Sequence, residues 1–353
     1  MRYSCLMKKK TTMADVARLA GVSTSAVSLA LSGHPGVSDA TRTRITTIAS
    51  DLGWFPNVAA RGLATSRVFA AGIVLSRPPR SLGVEPFYMS FLAGVESELS
   101  NTGTSLLMHI VPDVGEEIAT YRRWAAERRV DGLILLDLQV NDPRPALIRD
   151  LGLPAVAAGD PRYAGGLSSA WVGDDEAIRH AVAYFAEHGH RQLARVSERS
   201  DMAHTFIRNR AFLAACAERG LPTPYLVEAD ASADSGRRKT LALLTQSRPP
   251  TAIQFDNDVM AVAAIGAVRE AGLSSPGDVS LLAYDDSLLC EVTQPPLSAM
   301  SHDVYDYGSH VAALLREALR SPGTVLTEKH ATPVLVERGS TGPAPSPGAS
   351  PRR

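Results

Sequence analysis

Three polar side chains in the body of this chain have the types and positions expected of a binding site for a small polar molecule. Asp285 follows the apolar segment 279–284, and Asn257 begins an apolar helical segment. Arg208 lies four residues after His204, on the same face of a predicted helix. A guanidinium group can donate two parallel hydrogen bonds to vicinal hydroxyls or to a carboxylate, and a carboxylate or an amide accepts from hydroxyls. The structural alternatives are a helix cap for Asn257, a turn for Asp285 and a solvated position for Arg208.

Aromatic side chains near these residues could cover a face of the same ligand. Phe87 and Tyr88 begin a predicted helix, where packing into the core is an equal alternative to stacking on a ligand. Trp171 lies in a segment that is predicted to connect two halves of the body. We therefore add these three residues to the candidate ligand contacts.

The chain lacks the motifs of an enzyme. It contains no G-x-S-x-G, Walker A or G-x-G-x-x-G sequence, and so no catalytic residue and no cofactor is predicted. His188 and His190 have no third ligand at metal-binding spacing, and a helix C-terminus explains them better than a metal. The polar residues therefore indicate binding rather than catalysis.

Residues 11–33 predict two short helices joined by a tight turn. Gly21 supplies the backbone freedom that ends the first helix, and Ser23 is placed to cap the second. A third predicted helix runs from the cap Ser38 to Gly53. An ordinary helical hairpin is the alternative, but the pattern favours a helix-turn-helix that carries its second helix into the major groove of DNA.

The DNA-contacting candidates in this unit are short polar side chains and one leucine. Thr24, Ser25 and Leu29 occupy outward positions of the second helix. Leu29 cannot pair with guanine and is expected to touch a thymine methyl group or no base. The candidates for the other contacts, chiefly to phosphates, are Thr12, Ser23, Ser28, Thr41 and Arg42.

Two motifs, about 25 residues apart, resemble those of LacI-family transcription regulators. Residues 15–31 match the family's D-V-A-x-x-A-G-V-S-x-x-x-V-S-x-x-L pattern, and 56–63 match its P-N-x-x-A-R-x-L hinge. The resemblance implies that a hinge helix enters the minor groove, where Leu63 would wedge between base steps. The hinge residues that it assigns to DNA are Asn57, Ala60, Arg61 and Leu63. At position 29 the family commonly has Arg, so the operator should differ from those of Arg-bearing relatives.

The resemblance continues into the body, which is similar to the family's periplasmic-binding-protein-like core. Glu85–Tyr88 resembles the family's N-P-F-F segment, 257–261 its N-D-x-M-A segment, and 283–286 its G-Y-D-D segment. Arg208 takes the place of the family's ligand-binding arginine. The family's aspartate in the crossover region is shifted or replaced by Gly173 here.

Composition and charge agree with a DNA-binding head on a separate body. The chain has 353 residues and a net charge of −1, but residues 1–67 carry +6 and the remainder −7. A basic head of this kind suits a polyanion. No apolar run approaches the ~18 residues of a membrane span, and no secretory segment precedes the first helix. We therefore expect a cytoplasmic protein that does not contact membranes.

Apolar segments and amphipathic helices alternate from residue 69 onward, which predicts an α/β core of two doubly wound parallel-sheet subdomains behind a small all-α helix-turn-helix domain. The predicted crossings between the subdomains are near 163–169, 291–296 and 322–327. The predicted divisions are a basic disordered arm (1–10), the DNA-binding domain (11–55), the hinge (56–67), a core (68–339) and a disordered tail (340–353). Within the core, the N-subdomain is assigned to 68–165 and 295–323, and the C-subdomain to 166–294 and 324–339.

These features predict a transcription regulator, a repressor, that binds a pseudo-palindromic operator in double-stranded DNA as a homodimer. A small polar effector in the core crevice, a sugar in many relatives, would control binding; purines are an alternative. A solute-binding receptor shares the core fold, but it does not explain the basic head. An enzyme with an appended regulator does not explain the missing catalytic residues.

Overall fold

A computed structural model describes residues 11–31, 35–54, 67–77 and 83–346. The predicted arm and the hinge residues Asn57, Ala60, Arg61 and Leu63 lie outside the described residues. The chain divides into two units, residues 1–69 and 70–353.

The first unit is a three-helix head, α1 (Met13–Ala20), α2 (Thr24–Leu31) and α3 (Asp39–Asp51). Gly21 ends α1 in the left-handed region with φ of 64°, and the Ser23 hydroxyl accepts a hydrogen bond from the Ala26 amide. The three helices bury one small apolar core, formed by Val16, Ala17, Ala20, Val27, Ala30, Ile45 and Ala49. Alanines at the contacts let the helices approach closely. The predicted helix-turn-helix is therefore present.

The second unit contains two six-stranded sheets whose strands alternate with helices. The strands are β1 (Ala70–Ser76), β2 (Ser105–Val111), β3 (Gly132–Leu135), β4 (Ala155–Ala158), β5 (Ser168–Val172), β6 (Leu193–Ser197), β7 (Tyr225–Glu228), β8 (Ala252–Phe255), β9 (Ser280–Tyr284), β10 (Ser298–Ser301), β11 (Thr327–Ala331) and β12 (Val334–Val336). The helices are α4 (Pro86–Ser100), α5 (Val114–Glu127), α6 (Arg144–Asp150), α7 (Asp174–Glu187), α8 (Ala203–Glu218), α9 (Ala233–Leu244), α10 (Asp258–Glu270), α11 (Leu288–Val292) and α12 (Val304–Arg320). This confirms the predicted α/β core.

Each sheet forms its own subdomain. The N-subdomain sheet has the order β11-β5-β4-β3-β1-β2 and is parallel throughout. The C-subdomain sheet has the order β12-β10-β9-β8-β6-β7, in which only β12 is antiparallel to its neighbour. Buried apolar side chains from strands and helices fill both subdomains. Ligands of such sheets bind where the carboxyl ends of the strands meet a crevice.

The predicted crossings between the subdomains are too early in all three cases. Strands β5 and β11 belong to the N-subdomain, whereas β10 belongs to the C-subdomain. The chain therefore crosses after residues 172, 301 and 331. Hence 168–172 and 327–331 do not lie in the C-subdomain, and 298–301 does not lie in the N-subdomain, because each segment adds a strand before the chain leaves its sheet.

The prediction of a disordered tail is wrong for residues 340–346. The Ser340 hydroxyl donates to the Leu281 carbonyl at 2.6 Å and accepts from the Ser298 amide at 2.8 Å. Further along, the Ala344 amide donates to the His188 carbonyl at 2.8 Å. These bonds fix the segment against the C-subdomain, since it supplies partners that β9 and β10 would otherwise lack.

Candidate functional site

The carboxyl ends of strands from both subdomains surround one cavity of about 100 Å³. One water molecule needs about 10–15 Å³ by this measure, so the cavity has room for a molecule of monosaccharide size. Most of its lining residues are polar, and they come from the ends of eight strands and from helices α4, α8 and α12: Arg77, Glu85, Phe87, Tyr88, Leu136, Asp137, Ala158, Gly159, Trp171, Val172, Asp174, Glu198, His204, Arg208, Asp256, Asn257, Asp258, Asp285, His302 and Tyr307.

All seven residues that the sequence proposed as ligand contacts lie in this lining: Phe87, Tyr88, Trp171, His204, Arg208, Asn257 and Asp285. Phe87 and Trp171 are partly exposed there, and His204 makes no hydrogen bond or ion pair with any described residue. Tyr88, in contrast, is only 2% exposed, and its hydroxyl donates to Asp137 at 3.0 Å. The structure thus brings the seven residues together, but they differ in exposure and in whether their polar atoms are already hydrogen-bonded.

Arg77 organises the N-subdomain wall of the cavity. Its guanidinium donates to both carboxylate oxygens of Asp137, at 2.9 and 3.3 Å, and to Glu198 at 3.3 Å. Burial favours the protonated form of Asp137, but the charge of Arg77 outweighs it and lowers the pKa of Asp137 to about 2. The guanidinium also lies over the ring of Tyr88, 5.1 Å from its centroid. Asp137 is therefore held ionised and paired.

Arg208 organises the opposite wall. From helix α8 it donates to Asp174 at 2.6 Å and to Asp256 at 3.0 Å, and its guanidinium lies 3.5 Å from the ring centroid of Tyr284. Behind it Arg195, fully buried, also pairs with Asp256. Although burial opposes ionisation of Asp256, the two guanidinium groups hold its pKa well below the usual value. The N-cap residue of α8 is Met202, whose side chain makes no capping hydrogen bond.

The side chain of Asn257 is committed to the fold. Its Oδ1 accepts from the Met260 amide at 2.8 Å, which caps α10, and its Nδ2 donates to the Ala231 carbonyl at 3.2 Å. The capping alternative is therefore the one that its contacts support. Each polar atom keeps room for at most one further bond, so a ligand would meet Asn257 as a secondary contact.

Two carboxyl groups in the cavity have too few hydrogen bonds and ion pairs to stabilise a negative charge. Asp285, with φ of 65°, makes no side-chain hydrogen bond or ion pair with any described residue, and burial raises its pKa to about 7. Glu85 reaches only Arg77, at 3.7 Å, and burial raises its pKa to about 8. Such shifted groups in a cleft mark a functional site more often than a structural one.

His302 is a third group in need of a partner. Neither of its ring nitrogens is exposed to solvent, and neither has a hydrogen-bond partner within the described chain. Burial lowers the pKa of His302 to about 4, so the imidazole is neutral and offers one donor and one acceptor.

The sequence interpretation missed Arg77, Asp137, Glu198, Asp256 and His302. Each follows the last residue of a strand by one or two positions. That position is the missing signal, because side chains beyond parallel strands converge at one edge of the sheet. Glu85 was recognised only as part of a motif, at the start of α4.

The described ranges lack two kinds of feature, a metal-binding cluster and a membrane-spanning helix. They hold no group of three His, Cys, Asp or Glu side chains suited to a metal ion. Within the same ranges, no helix combines the length and the apolar character needed to cross a bilayer.

The head presents a second candidate surface, on helix α2. Ser23, Thr24, Ser25, Ser28 and Leu29 are all exposed, whereas Val27 and Ala30 on the opposite side are buried. Leu29 is 36% exposed. This surface could enter a major groove with hydroxyls for phosphates and bases and one apolar side chain for a methyl group.

Three of the predicted DNA contacts also have structural roles in the head. Thr12 forms a capping box with Asp15, and Thr41 shares a hydrogen bond of 2.9 Å with the Ser38 hydroxyl. Arg42 donates to the carbonyls of Leu29 and Ala30 at the end of α2. Its guanidinium therefore holds α2 against α3, besides any phosphate that it meets.

Known proteins resemble both units. The family of bacterial regulatory proteins called the lacI family matches residues 12–57, and the periplasmic binding protein-like domain matches 182–341. The HTH-type transcriptional regulator AglR of Rhizobium meliloti (strain 1021) is 30% identical over 341 residues, which are 94% of each chain.

Two solved structures are similar over nearly the whole chain. A complex of the transcriptional regulator CelR with cellobiose has a TM-score of 0.72 at 28% identity and covers 94% of this chain and 100% of its own. A lac repressor dimer bound to operator and the anti-inducer ONPF has a TM-score of 0.81 at 25% identity, covering 95% and 100%. With its helix-turn-helix head and a core whose two sheets enclose a cleft, this protein belongs to the lacI family of DNA-binding transcription regulators.

Proposed function

We propose that this chain is a repressor that binds a pseudo-palindromic operator as a homodimer, and that a sugar in the cleft of the core controls this binding. The observation that carries the proposal is the polar cavity between strand ends of both subdomains, in a chain that also has a helix-turn-helix head. The cellobiose bound to CelR and the name of the ribose operon repressor of Escherichia coli (strain K12), 28% identical over 334 residues, favour a sugar.

Guanidinium groups hold two carboxylates of the cavity, Asp137 and Asp256, in the ionised form, so these two can only accept hydrogen bonds from a ligand. We assign direct effector contacts to Phe87, Trp171, His204, Arg208 and Asp285. Tyr88 and Asn257 hold the walls in place, because their polar atoms are already bonded.

A homodimer follows from the size of the head. One helix-turn-helix covers too little DNA for tight specific binding, so two heads on two half-sites are required. The lac repressor in the similar structure is a dimer on its operator. Light scattering of the full chain at micromolar concentration should give the mass of a dimer. A monomer or a tetramer would contradict this part of the proposal.

The regulatory role is tested with the full chain and the DNA upstream of its own gene. Fluorescence anisotropy should detect saturable binding that survives an excess of unrelated DNA, and one sugar of a panel of neutral, amino and acidic sugars should change the affinity. A Val27→Asp variant, which buries a charge in the core of the head, should lose binding to this DNA. Failure of the parent to prefer its own upstream DNA over unrelated DNA would contradict the proposal.

A further inference from the structure

The cavity is lined by far more acidic than basic side chains. Seven carboxyl groups line it: Glu85, Asp137, Asp174, Glu198, Asp256, Asp258 and Asp285. Two guanidinium groups, Arg77 and Arg208, lie in the same lining, and Arg195 reaches Asp256 from behind. A neutral sugar would leave this imbalance unchanged.

On the N-subdomain side Arg77 is the cation that three carboxyl groups share. It donates two hydrogen bonds to Asp137 and one to Glu198. Glu85 has no hydrogen bond to Arg77 and lies 3.7 Å from it, although its residue is only 8% exposed. Glu85 is thus a buried carboxyl group with weak compensation.

On the C-subdomain side Arg208 pairs with Asp174 and Asp256, and Arg195 pairs with Asp256. Asp258 has a hydroxyl partner, Ser287, and no ion pair with a described residue. The carboxyl group of Asp285 makes neither an ion pair nor a hydrogen bond within the described chain, and the charge of Arg208 offsets only part of the effect of burial on its pKa. Asp285 therefore favours either a proton or a ligand that supplies a cation.

His302 provides an independent sign that a ligand is missing from this space. Both ring nitrogens are unpartnered and inaccessible to solvent, while the residue lies in the cavity lining. A buried polar group without a partner costs about 1–3 kcal/mol, and a hydroxyl or amino group on a bound molecule would satisfy it.

Glu85 and Asp285 come from opposite subdomains and line the same cavity. We propose that the effector carries a positively charged amino group, as an amino sugar does, and that this group lies between Glu85 and Asp285. Its hydroxyls would then bond to Arg208, His204 and His302. This inference rests on the proposed function of the cavity as the effector site. An ammonium group in this place joins the two subdomains, which is how a ligand can change their spacing.

The protonation behaviour of the empty cavity agrees with this. Burial, opposed by Arg77 and reinforced by Glu198, Asp137 and Asp285, raises the pKa of Glu85 to about 8. Burial, opposed by Arg208 and reinforced by Asp258, Asp174 and Asp256, raises the pKa of Asp285 to about 7. At pH 7 the empty site therefore holds protons that a bound ammonium group would displace.

The test uses the full chain with matched sugars that differ in one substituent. The panel comprises glucosamine, galactosamine and mannosamine, each with its neutral parent sugar and its uronate. Binding at pH 7 is measured by calorimetry, and operator release by anisotropy. One amine should bind at least about tenfold more tightly than its neutral parent, because a charge-assisted hydrogen bond is about twice as strong as a neutral one. No uronate should bind. Calorimetry in two buffers with different ionisation enthalpies should show protons released on binding.

Two variants test where the ammonium group of the ligand binds. Glu85→Gln and Asp285→Asn should each reduce the preference for the amine over its neutral parent to about threefold or less, because each removes one of the two charges. Asp234→Asn, which changes an exposed carboxylate on α9, is the matched control and should keep the full preference.

The outcomes separate this inference from the proposed function. A neutral sugar that binds as tightly as its amine and changes operator affinity would overturn the inference and leave the proposed function standing. A preference for the amine that persists in both cavity variants would overturn the assigned position. Operator binding that no member of the panel affects at millimolar concentration would count against both.

Discussion

Asp285 combines a left-handed backbone with a partly buried carboxyl group that makes no hydrogen bond or ion pair with a described residue. A φ of 65° is uncommon for a residue other than glycine, although Asp and Asn tolerate it best. The backbone strain and the unpaired carboxyl group both lower stability and both lie at the cavity. Local cost of this kind is typical of sites that bind a ligand.

Replacing Asp285 by Asn should stabilise the unliganded protein at high pH. The pKa of about 7 in the folded state lies above the ordinary 3.8, so the folded state binds its proton more tightly than the unfolded state. Stability from this group is therefore lost as pH rises from about 4 to 7, by on the order of 4 kcal/mol at most. Thermal unfolding should show a higher Tm for Asp285→Asn at pH 8 and a small difference at pH 5.

Asn keeps the left-handed backbone, so the change isolates the charge. Asp234→Asn on exposed α9 serves as the control, with Tm values close to those of the parent at both pH values. An unchanged Tm for Asp285→Asn at pH 8 would show that the ionised carboxyl group does not destabilise the folded state.

Replacing Arg208 by Ala should weaken both folding and effector response. Asp174 and Asp256 would lose a cation while remaining buried, a change that costs about 3–5 kcal/mol in comparable pairs. Urea denaturation should show the loss in the core, and the folded fraction should bind operator with little change, because the head is a separate unit.

Arg210→Ala, on the same helix but exposed, is the comparison and should alter neither property by more than about 0.5 kcal/mol. If Arg208→Ala unfolds like the parent and responds to effector, the assignment of Arg208 to the cavity is wrong.

Helices α4 and α12 of the N-subdomain touch through two glycines. A Cβ at Gly94 would overlap the Tyr305 carbonyl, and a Cβ at Gly308 would overlap the Phe91 carbonyl. Helices can approach this closely only where both have a residue without a side chain at the contact. The pair positions α4, whose first turn carries Phe87 and Tyr88 into the cavity.

Gly94→Ala should therefore destabilise the core although alanine favours helices. Backbone atoms must move apart, and overpacking of this kind costs about 1–3 kcal/mol. Gly266→Ala in α10 is the matched change, because a Cβ there meets no atom within 4 Å. It should be neutral or stabilise by about 0.5–1 kcal/mol. Equal effects of the two substitutions on urea midpoints would contradict the close contact.

Elements with a clear apolar period could be predicted from the sequence, and those without one could not. The alternation that ends with β9 is present nearly as predicted, because buried parallel strands are apolar throughout. Strand β5 begins with two serines, and β11 is the polar edge segment 327–331. Neither has the pattern of a core strand, which is why the crossings were assigned too early.

Within the cavity, single residues were predictable but their pairing was not. The motifs and strand ends gave Arg208, Asn257 and Asp285 as candidates. The pairing of Arg77 with Asp137 joins positions far apart in the chain through the order of the strands. A contact of this kind has no short sequence motif, so a single sequence does not predict it.

At the scale of the whole molecule, regulation requires that the core influence the head through the hinge, residues 56–67. From its sequence we expect a helix too short to be stable alone, which forms when two copies meet at the minor groove. Leu63→Ser should therefore abolish preference for operator and retain salt-sensitive binding to any DNA. Anisotropy with operator and unrelated duplexes at two salt concentrations measures both the preference and the salt dependence. A Leu63→Ser variant that still prefers operator would contradict the insertion of Leu63 between base steps.

The three crossings have a consequence for synthesis on the ribosome. The N-subdomain sheet takes β11 from residues 327–331, and its helix α12 follows β10 of the other sheet. Neither subdomain is a continuous stretch of chain, so neither can be completed until residues 327–336 have emerged. The head precedes the core in the chain, has its own apolar core and can fold tens of seconds earlier, at about 5–20 residues per second. A messenger RNA cut short within the core would thus yield a DNA-binding head tied to an unfinished, aggregation-prone body.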